Sequence, residues 1–306
     1  MNFITKKHRN LCEKYTRKAY MNVLPVFYDH IAEATAQSGL PIGRVLEKCG
    51  EYGISAVEIQ YTRLKENRKK ICKALDKAGL SISSVYDFFD LVNDKPDKEI
   101  ERAYDMLKVA SELGAGKVLV VPGALNMAEA AELAACAGDY DTTAVYMDGN
   151  AVIQNMKKSL RQICVEAEKY GITVTMEDFD GFCQPFSRIN ELLWFMKNIP
   201  GLKYTLDTGN FAFSDENVLE AMEVMKDYII HVHCKDRAVD ETVGGKYCKG
   251  MGASPAGGGY IPMGEIIQQM LNHGYDGFFA IEHFGAADQL EYIRQSAEYL
   301  IPALDG

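Results

Sequence analysis

Two rhythms alternate along this chain. Short β-rich runs follow a glycine that can end a helix: "YGISAVEI" (52–59), "AGLSISSV" (78–85), "YGITVTME" (170–177), "PGLKYTLD" (200–207) and "HGYDGFFAIE" (273–282). "LGAGKVLVV" (113–121) follows the same rule with two glycines. Glycine just past a helix takes the left-handed conformation that stops it, and Val, Ile, Thr and Phe then favour a strand. Between these runs apolar residues recur every three or four positions, as in 97–113 and 156–170, the spacing of amphipathic helices. With "NVLPVF" (22–27) and "IIHVHC" (229–234) the count reaches eight strands, each trailed by a helical pattern. Eight such units predict one α/β domain, a (β/α)8 TIM barrel over residues 22–306. Residues 1–21 form an N-terminal extension, and 241–259 reads as a Gly-rich loop between the last two strands. A doubly wound open sheet would carry a glycine fingerprint after its first strand, and "FYDHIAEA" has none.

Active sites of such barrels lie at the C-terminal ends of the strands. Those ends carry Glu58, Glu177, Asp207, His233 and Glu282. The last four come from four consecutive strands, so their side chains converge. Alternation supports this: Thr173, Thr175 and Glu177 share one face of their strand, and Ile172, Val174 and Met176 the other. The same split puts Asp207 with Thr205 and Glu282 with Ala280. His231 and His233 both point inward. His233 is level with the carboxylates, while His231 lies one layer deeper, as a buried donor behind the ligands or a structural residue. His283 and Cys234 have the opposite parity. Three carboxylates and one imidazole form a largely hard-oxygen set, suited to one divalent ion: Mn²⁺ first, with Mg²⁺, Co²⁺ and Zn²⁺ compatible. The alternative is a set of separate interior polar residues satisfied by hydrogen bonds.

Composition narrows the partners. A formal net charge of −10 weighs against nucleic acid, whose phosphates ask for the opposite sign. The eight cysteines are scattered without a C-x-x-C pair, which fits a reducing cytoplasm. No apolar run is long enough for a membrane span, and the basic start lacks a signal-peptide core. A small-molecule substrate is the expected partner, and a homo-oligomer is compatible with the chain. Glu58, Lys235, Tyr28, Tyr86 and Phe88 stand at or beside strand ends as candidate substrate contacts, the aromatics as an apolar wall. "GASPAGGG" reads as a lid more readily than as a phosphate cradle, with a helix resuming near Pro262.

The stretches "TMEDF", "YTLDTGNF", "HVHCKD", "GGGYIPMGEII" and "FFAIEHF" resemble the xylose-isomerase-like barrel superfamily of sugar isomerases and epimerases. The resemblance covers nearly all of the chain after residue 21. It implies a divalent metal held by Glu177, Asp207, His233 and Glu282, and assigns Glu177 and Glu282 as base and acid on opposite faces of the substrate. It implies an enediolate pathway for a small ketose or related hydroxy-ketone. Epimerases of the family carry a histidine where this chain has Asn210, and an arginine near the position of Arg237, so these two residues join the expected substrate contacts. A lyase acting on a keto-inositol or keto-sugar is the alternative. An endonuclease IV-like phosphodiesterase lacks its extra histidines here, and a non-catalytic sugar-binding barrel would not keep both glutamates.

Overall fold

The structure, a computed structural model, describes residues 24–243 and 246–305, so the expected extension 1–21 lies outside the described residues. The chain opens with β1 (Leu24–Phe27), α1 (Tyr28–Ser38), α2 (Ile42–Glu51), β2 (Ile54–Gln60), α3 (Tyr61–Ala78) and β3 (Ser81–Phe88). It continues through α4 (Asp97–Leu113), β4 (Lys117–Val121), three successive helices α5 (Met127–Cys136), α6 (Tyr140–Gly149) and α7 (Ala151–Glu168), and β5 (Thr173–Glu177). Then come α8 (Ile189–Asn198), β6 (Lys203–Asp207), α9 (Val218–Met225), β7 (Ile229–Val243), β8 (Lys246–Ser254), α10 (Met263–Asn272), β9 (Phe279–Glu282) and α11 (Gln289–Asp305). Eight parallel strands, β1 to β7 and β9, close into a ring through the β6–β7 and β1–β9 pairings. This is the predicted (β/α)8 barrel.

Local chemistry sets the boundaries. α3 and α4 end at Gly79 and Gly114, both at positive φ (73° and 78°), the conformation an L side chain resists. α5 starts in a capping box, Asn126 accepting from the backbone of Ala128 and Glu129 while Glu129 reaches back. The main apolar core lies between strands and helices, with Trp194, Tyr204, Phe195 and Leu206 fully buried. The barrel axis is different. Its inward positions hold Glu58, Thr175, Thr205 and His231, all buried, with a Thr205–Thr175 hydroxyl bond of 2.9 Å linking neighbouring strands. A barrel lined this way costs desolvation unless its polar groups pair, so the polar column belongs to the site above it.

The structure corrects three expectations. Residues 241–259 are not simply a loop. β7 runs past the barrel rim to Val243 and pairs with β8 as an antiparallel hairpin. Nor is the glycine segment after it a free lid. The Asp236 carboxylate accepts from the backbone N–H of Arg237 (2.8 Å), Gly257 (2.9 Å), Gly259 (3.0 Å) and Ile261 (3.1 Å). At Gly259 a Cβ would stand 2.2 Å from the Arg237 carbonyl oxygen, so the backbone could not approach so closely with a side chain there. Finally, β2 extends to Gln60, two residues beyond Glu58, which lowers Glu58 from the rim into the barrel.

Asp236 therefore pins the turn that flanks the site. Hydrogen bonds to a charged group contribute roughly 1.5–3 kcal/mol each, less than additively when they share one carboxylate. Asp236→Ala is expected to lower stability by about 3 kcal/mol or more in denaturant unfolding. A change below about 1 kcal/mol would show that the turn holds itself.

Candidate metal centre and active site

Glu177, Asp207 and Glu282 are the last residues of β5, β6 and β9, and His233 pairs with Asp207 across β6–β7. One donor atom from each of the four falls within 4.8 Å of all the others. His233 turns Nδ1 to the cluster, 3.0 Å from both Glu177 Oε2 and Glu282 Oε2. Its Nε2 faces the opposite way, 3.3 Å from Glu58 Oε2.

Glu58 decides which nitrogen is free. Its other oxygen meets His231 Nε2, and an ionised carboxylate can only accept, so both imidazoles present Nε2–H to it. Burial opposes charge on the His233 imidazole, but hydrogen bonds to Glu177, Glu282 and Glu58 outweigh it and hold the group above its ordinary range, with Nδ1 facing the cluster. Once it gives up that proton, Nδ1 is the nitrogen placed to ligate a metal. Burial would raise the Glu58 carboxyl, but His231 and His233 outweigh it and hold the group well below the usual carboxylate range. Burial pushes His231 down to about 3, so its ring is neutral. His231 is thus a buried partner one layer below the cluster, hydrogen-bonded to Glu58 and meeting the His233 ring edge to face (centroids 5.1 Å). In Glu58→Gln the amide nitrogen would face one of these N–H groups, donor against donor. We expect divalent-metal affinity to fall roughly 10–100-fold, read by competition with a chromophoric chelator. Unchanged affinity would remove Glu58 from this role.

The remaining groups are bound tightly to one another. Asp207 Oδ1 accepts from the backbone of Gly209 (2.8 Å) and Asn210 (3.0 Å), which turns Oδ2 toward the cluster. Lys235 sits among the carboxylates, with Nζ 2.9 Å from Asp207 Oδ2, 2.5 Å from Glu282 Oε1 and 2.9 Å from Asn210 Oδ1. Burial opposes its charge, but Asp207 and Glu282 outweigh burial and hold the ammonium above its ordinary range. The two glutamates are pushed apart. Burial, then the like charges of Glu282 and Asp207, raises Glu177 to about 7 against the pull of His233. For Glu282, Lys235 and His233 overcome burial and hold the carboxyl well below its usual range. Arg237 donates to Gly209 O (3.0 Å), Met251 O (2.9 Å), Asp180 Oδ2 (2.6 Å) and Asn210 Oδ1 (3.1 Å).

Above the cluster opens a cavity of about 420 Å³. Glu177 and Glu282 reach it, whereas Asp207 and His233 lie beneath. Of the expected substrate contacts, Asn210, Lys235, Arg237 and Tyr86 line it, as does Phe88. Two do not. Glu58 is fully buried below the ligands, because β2 is longer than its apolar pattern suggests. Tyr28 opens α1 and packs in the outer core, because β1 ends at Phe27. Phe27 takes the wall position instead, and alternation from Phe27 rather than Tyr28 was the available signal. Cys234 faces the outer core, as its parity requires. His283 turns its ring against His30 (centroids 4.7 Å apart), away from the ligands, although the residue borders the cavity. Sequence reasoning missed Asp29, Gln60, Asp180 and Phe284 on the wall, and Asp178 behind it. Asp178 accepts from Tyr204 OH (2.6 Å) and the Asp207 backbone N–H (2.9 Å), fixing the end of β6.

The donor set fits a divalent cation. Asp207 Oδ2 and Glu282 Oε2 are buried and make no hydrogen bond of good geometry, facing only Lys235 Nζ (2.9 Å) and His233 Nδ1 (3.0 Å), so both keep lone pairs for a cation. Three carboxylate oxygens and an imidazole nitrogen suit Mn²⁺ or Mg²⁺. A second grouping among the described residues, Glu58 with His231 and His233, spends its facing atoms on mutual hydrogen bonds.

Residues 46–303 match the family model described as a xylose isomerase-like TIM barrel. No curated protein matches the chain by sequence. Among solved structures, a D-tagatose 3-epimerase-like protein superimposes with a TM-score of 0.63 at 24% identity, over 82% of this chain and 90% of its own. A xylose isomerase-like TIM barrel protein from Mycobacterium smegmatis in complex with magnesium gives 0.62 at 20%, over 86% and 87%. The probable 3-DHS dehydratase from Bacillus anthracis gives 0.63 at 17%, over 91% and 98%. Relatives of this fold thus include enzymes of both the epimerase and the dehydratase kind. With its barrel closed and Glu177, Asp207, His233 and Glu282 converged at its strand ends, the chain belongs to the xylose isomerase-like TIM barrel family.

Proposed function

We propose that the protein is a divalent-metal-dependent isomerase or epimerase of a small keto-sugar or related hydroxy-ketone. The observation that carries this reading is the pair Glu177 and Glu282: both border the cavity, and both lie 3.0 Å from the same His233 nitrogen. Bound at the four ligands, a divalent ion would supply Lewis acidity to a carbonyl and its neighbouring hydroxyl. Of the residues, one glutamate takes the proton from the carbon beside the carbonyl and the other returns a proton to the opposite face, inverting that centre. Lys235 keeps Glu282 ionised and opposes the burial that raises Asp207, and Asn210 holds Lys235 in place. Mn²⁺ is the proposed metal, the cytoplasm the proposed location, and one barrel from residue 22 the proposed domain.

A lyase reading draws on one observation. The Glu177 carboxyl, raised to about 7 at the cavity wall, is an acid that could protonate a departing β-hydroxyl. Product analysis by NMR on Mn²⁺-loaded protein separates the two. Epimerised or isomerised ketohexoses support the proposal. Water loss from a keto-inositol, with ketohexoses untouched, would replace it with the lyase.

Neither reading requires a membrane. Among the described residues no helix is long and apolar enough to cross one.

A further inference from the structure

The walls of the cavity differ sharply. One side is polar, made by Glu177, Glu282, Asn210, Lys235 and Arg237. The other is an unbroken arc of aromatic rings. Phe284 meets Phe27 (centroids 5.5 Å), Phe27 meets Tyr86 (5.2 Å), Tyr86 meets Phe88 (6.5 Å), and Phe88 meets Phe179 (6.4 Å). The arc climbs from the ligands to the surface. Phe27 lies 5.0 Å from the His233 ring and is buried, whereas Phe284 and Phe88 are 45% and 50% exposed. Apolar rings left half in solvent at a pocket mouth are poised to cover something. The deep end suffices for the reacting carbons. A volume of about 420 Å³ falls in the range, roughly 300–1,000 Å³, of pockets that enclose larger ligands.

The charges point the same way. A phosphate needs cations with free donors. The cationic side chains on this wall are Lys235 and Arg237. Lys235 spends its three N–H on Asp207, Glu282 and Asn210, and Arg237 four of its five on Asp180, Asn210 and two backbone carbonyls, which leaves one N–H where a phosphate asks for several. Asp29 and Asp180 on the same cavity are paired with Arg63 (2.7 Å) and Arg237 (2.6 Å), which commits those arginines to carboxylates rather than to a phosphate.

We infer that the substrate is an uncharged keto-sugar carrying a second ring through a glycosidic oxygen, with the keto end at the glutamates and the second ring on Phe88 and Phe284. The inference rests on the proposed metal-dependent reaction and narrows its substrate class to keto-glycosides. The flat carbon–hydrogen face of a sugar or aryl ring matches an aromatic surface, and the glycosidic oxygen brings no charge.

The test uses the full chain loaded with Mn²⁺, whose binding is first measured by calorimetry. Dissociation constants are then compared for the methyl and phenyl glycosides of 3-keto-glucose and for the methyl glycoside 6-phosphate. The expected order is phenyl tighter than methyl by about tenfold or more, with the phosphate weakest. In Phe88→Ala/Phe284→Ala the phenyl-to-methyl ratio should fall to about one, and Mn²⁺ binding in that variant reports an intact barrel. If Mn²⁺ binds but phenyl and methyl are equal, or the phosphate binds best, the glycoside inference fails while the metal reading stands. If Mn²⁺ does not bind, the metal reading fails and takes this inference with it.

Discussion

His233→Ala should abolish specific divalent-metal binding, taking the stoichiometry measured by calorimetry from one ion per chain to none. Its Nδ1 is the one nitrogen in the donor set and lies 3.0 Å from both glutamates. Removing the ring also strips Glu58 of one of its two partners at full burial. An uncompensated buried charge costs roughly 3–5 kcal/mol, so the variant should unfold more readily as well. Affinity is expected to drop more than about a thousandfold, beyond the roughly 10–100-fold typical of a supporting partner. His231→Ala falls in that smaller class, because His231 offers no atom to the cluster and supports His233 through Glu58 and an edge-to-face ring contact (centroids 5.1 Å). Equal losses for the two histidines would show that depth along β7 does not separate their roles.

Glu177→Gln and Glu282→Gln should each end epimerisation, with turnover falling by roughly 10²–10⁴-fold, the contribution of a positioned acid or base. Each glutamate is also an expected ligand, so the loss alone does not identify its role. The informative result is residual exchange. If the glutamates serve opposite faces, each variant with metal still bound keeps one of them. It should exchange the α-proton of one epimer with D₂O and leave the other epimer unlabelled. The two variants should retain opposite epimers. Loss of exchange from both epimers in both variants, at full metal occupancy, would leave the pair holding metal only.

Much of this was written in the chain. Glycine at helix ends and period-two strands mark the barrel, because caps and alternation are local effects that read directly from neighbouring residues. The placement of Glu177, Asp207 and Glu282 at the last residue of each strand followed from the same alternation. The failures have physical causes too. Tyr28 and Phe27 are both aromatic, so only the point where β1 yields to α1 tells which faces the cavity. Glu58 sits low because "IQ" continues β2, and an apolar-polar ending does not reveal where a strand stops. The hairpin of β7 and β8 was hidden by its polar and Gly-rich composition. Pairing between two such strands is a tertiary outcome that no local pattern encodes. Asp178 is the hardest case. It hydrogen-bonds Tyr204 and Asp207, 26 and 29 positions along, a contact no local pattern encodes.

The central claim is that Glu177 and Glu282 move a proton at the carbon beside a metal-held carbonyl. It is tested most directly with a substrate deuterated at that carbon, turned over by Mn²⁺-loaded protein in ordinary water and followed by NMR. The account predicts that deuterium washes into solvent and that the labelled substrate reacts more slowly, because a carboxylate that takes the deuteron exchanges it with water. A hydride shift between neighbouring carbons would instead carry the label into product, and full retention would contradict the account.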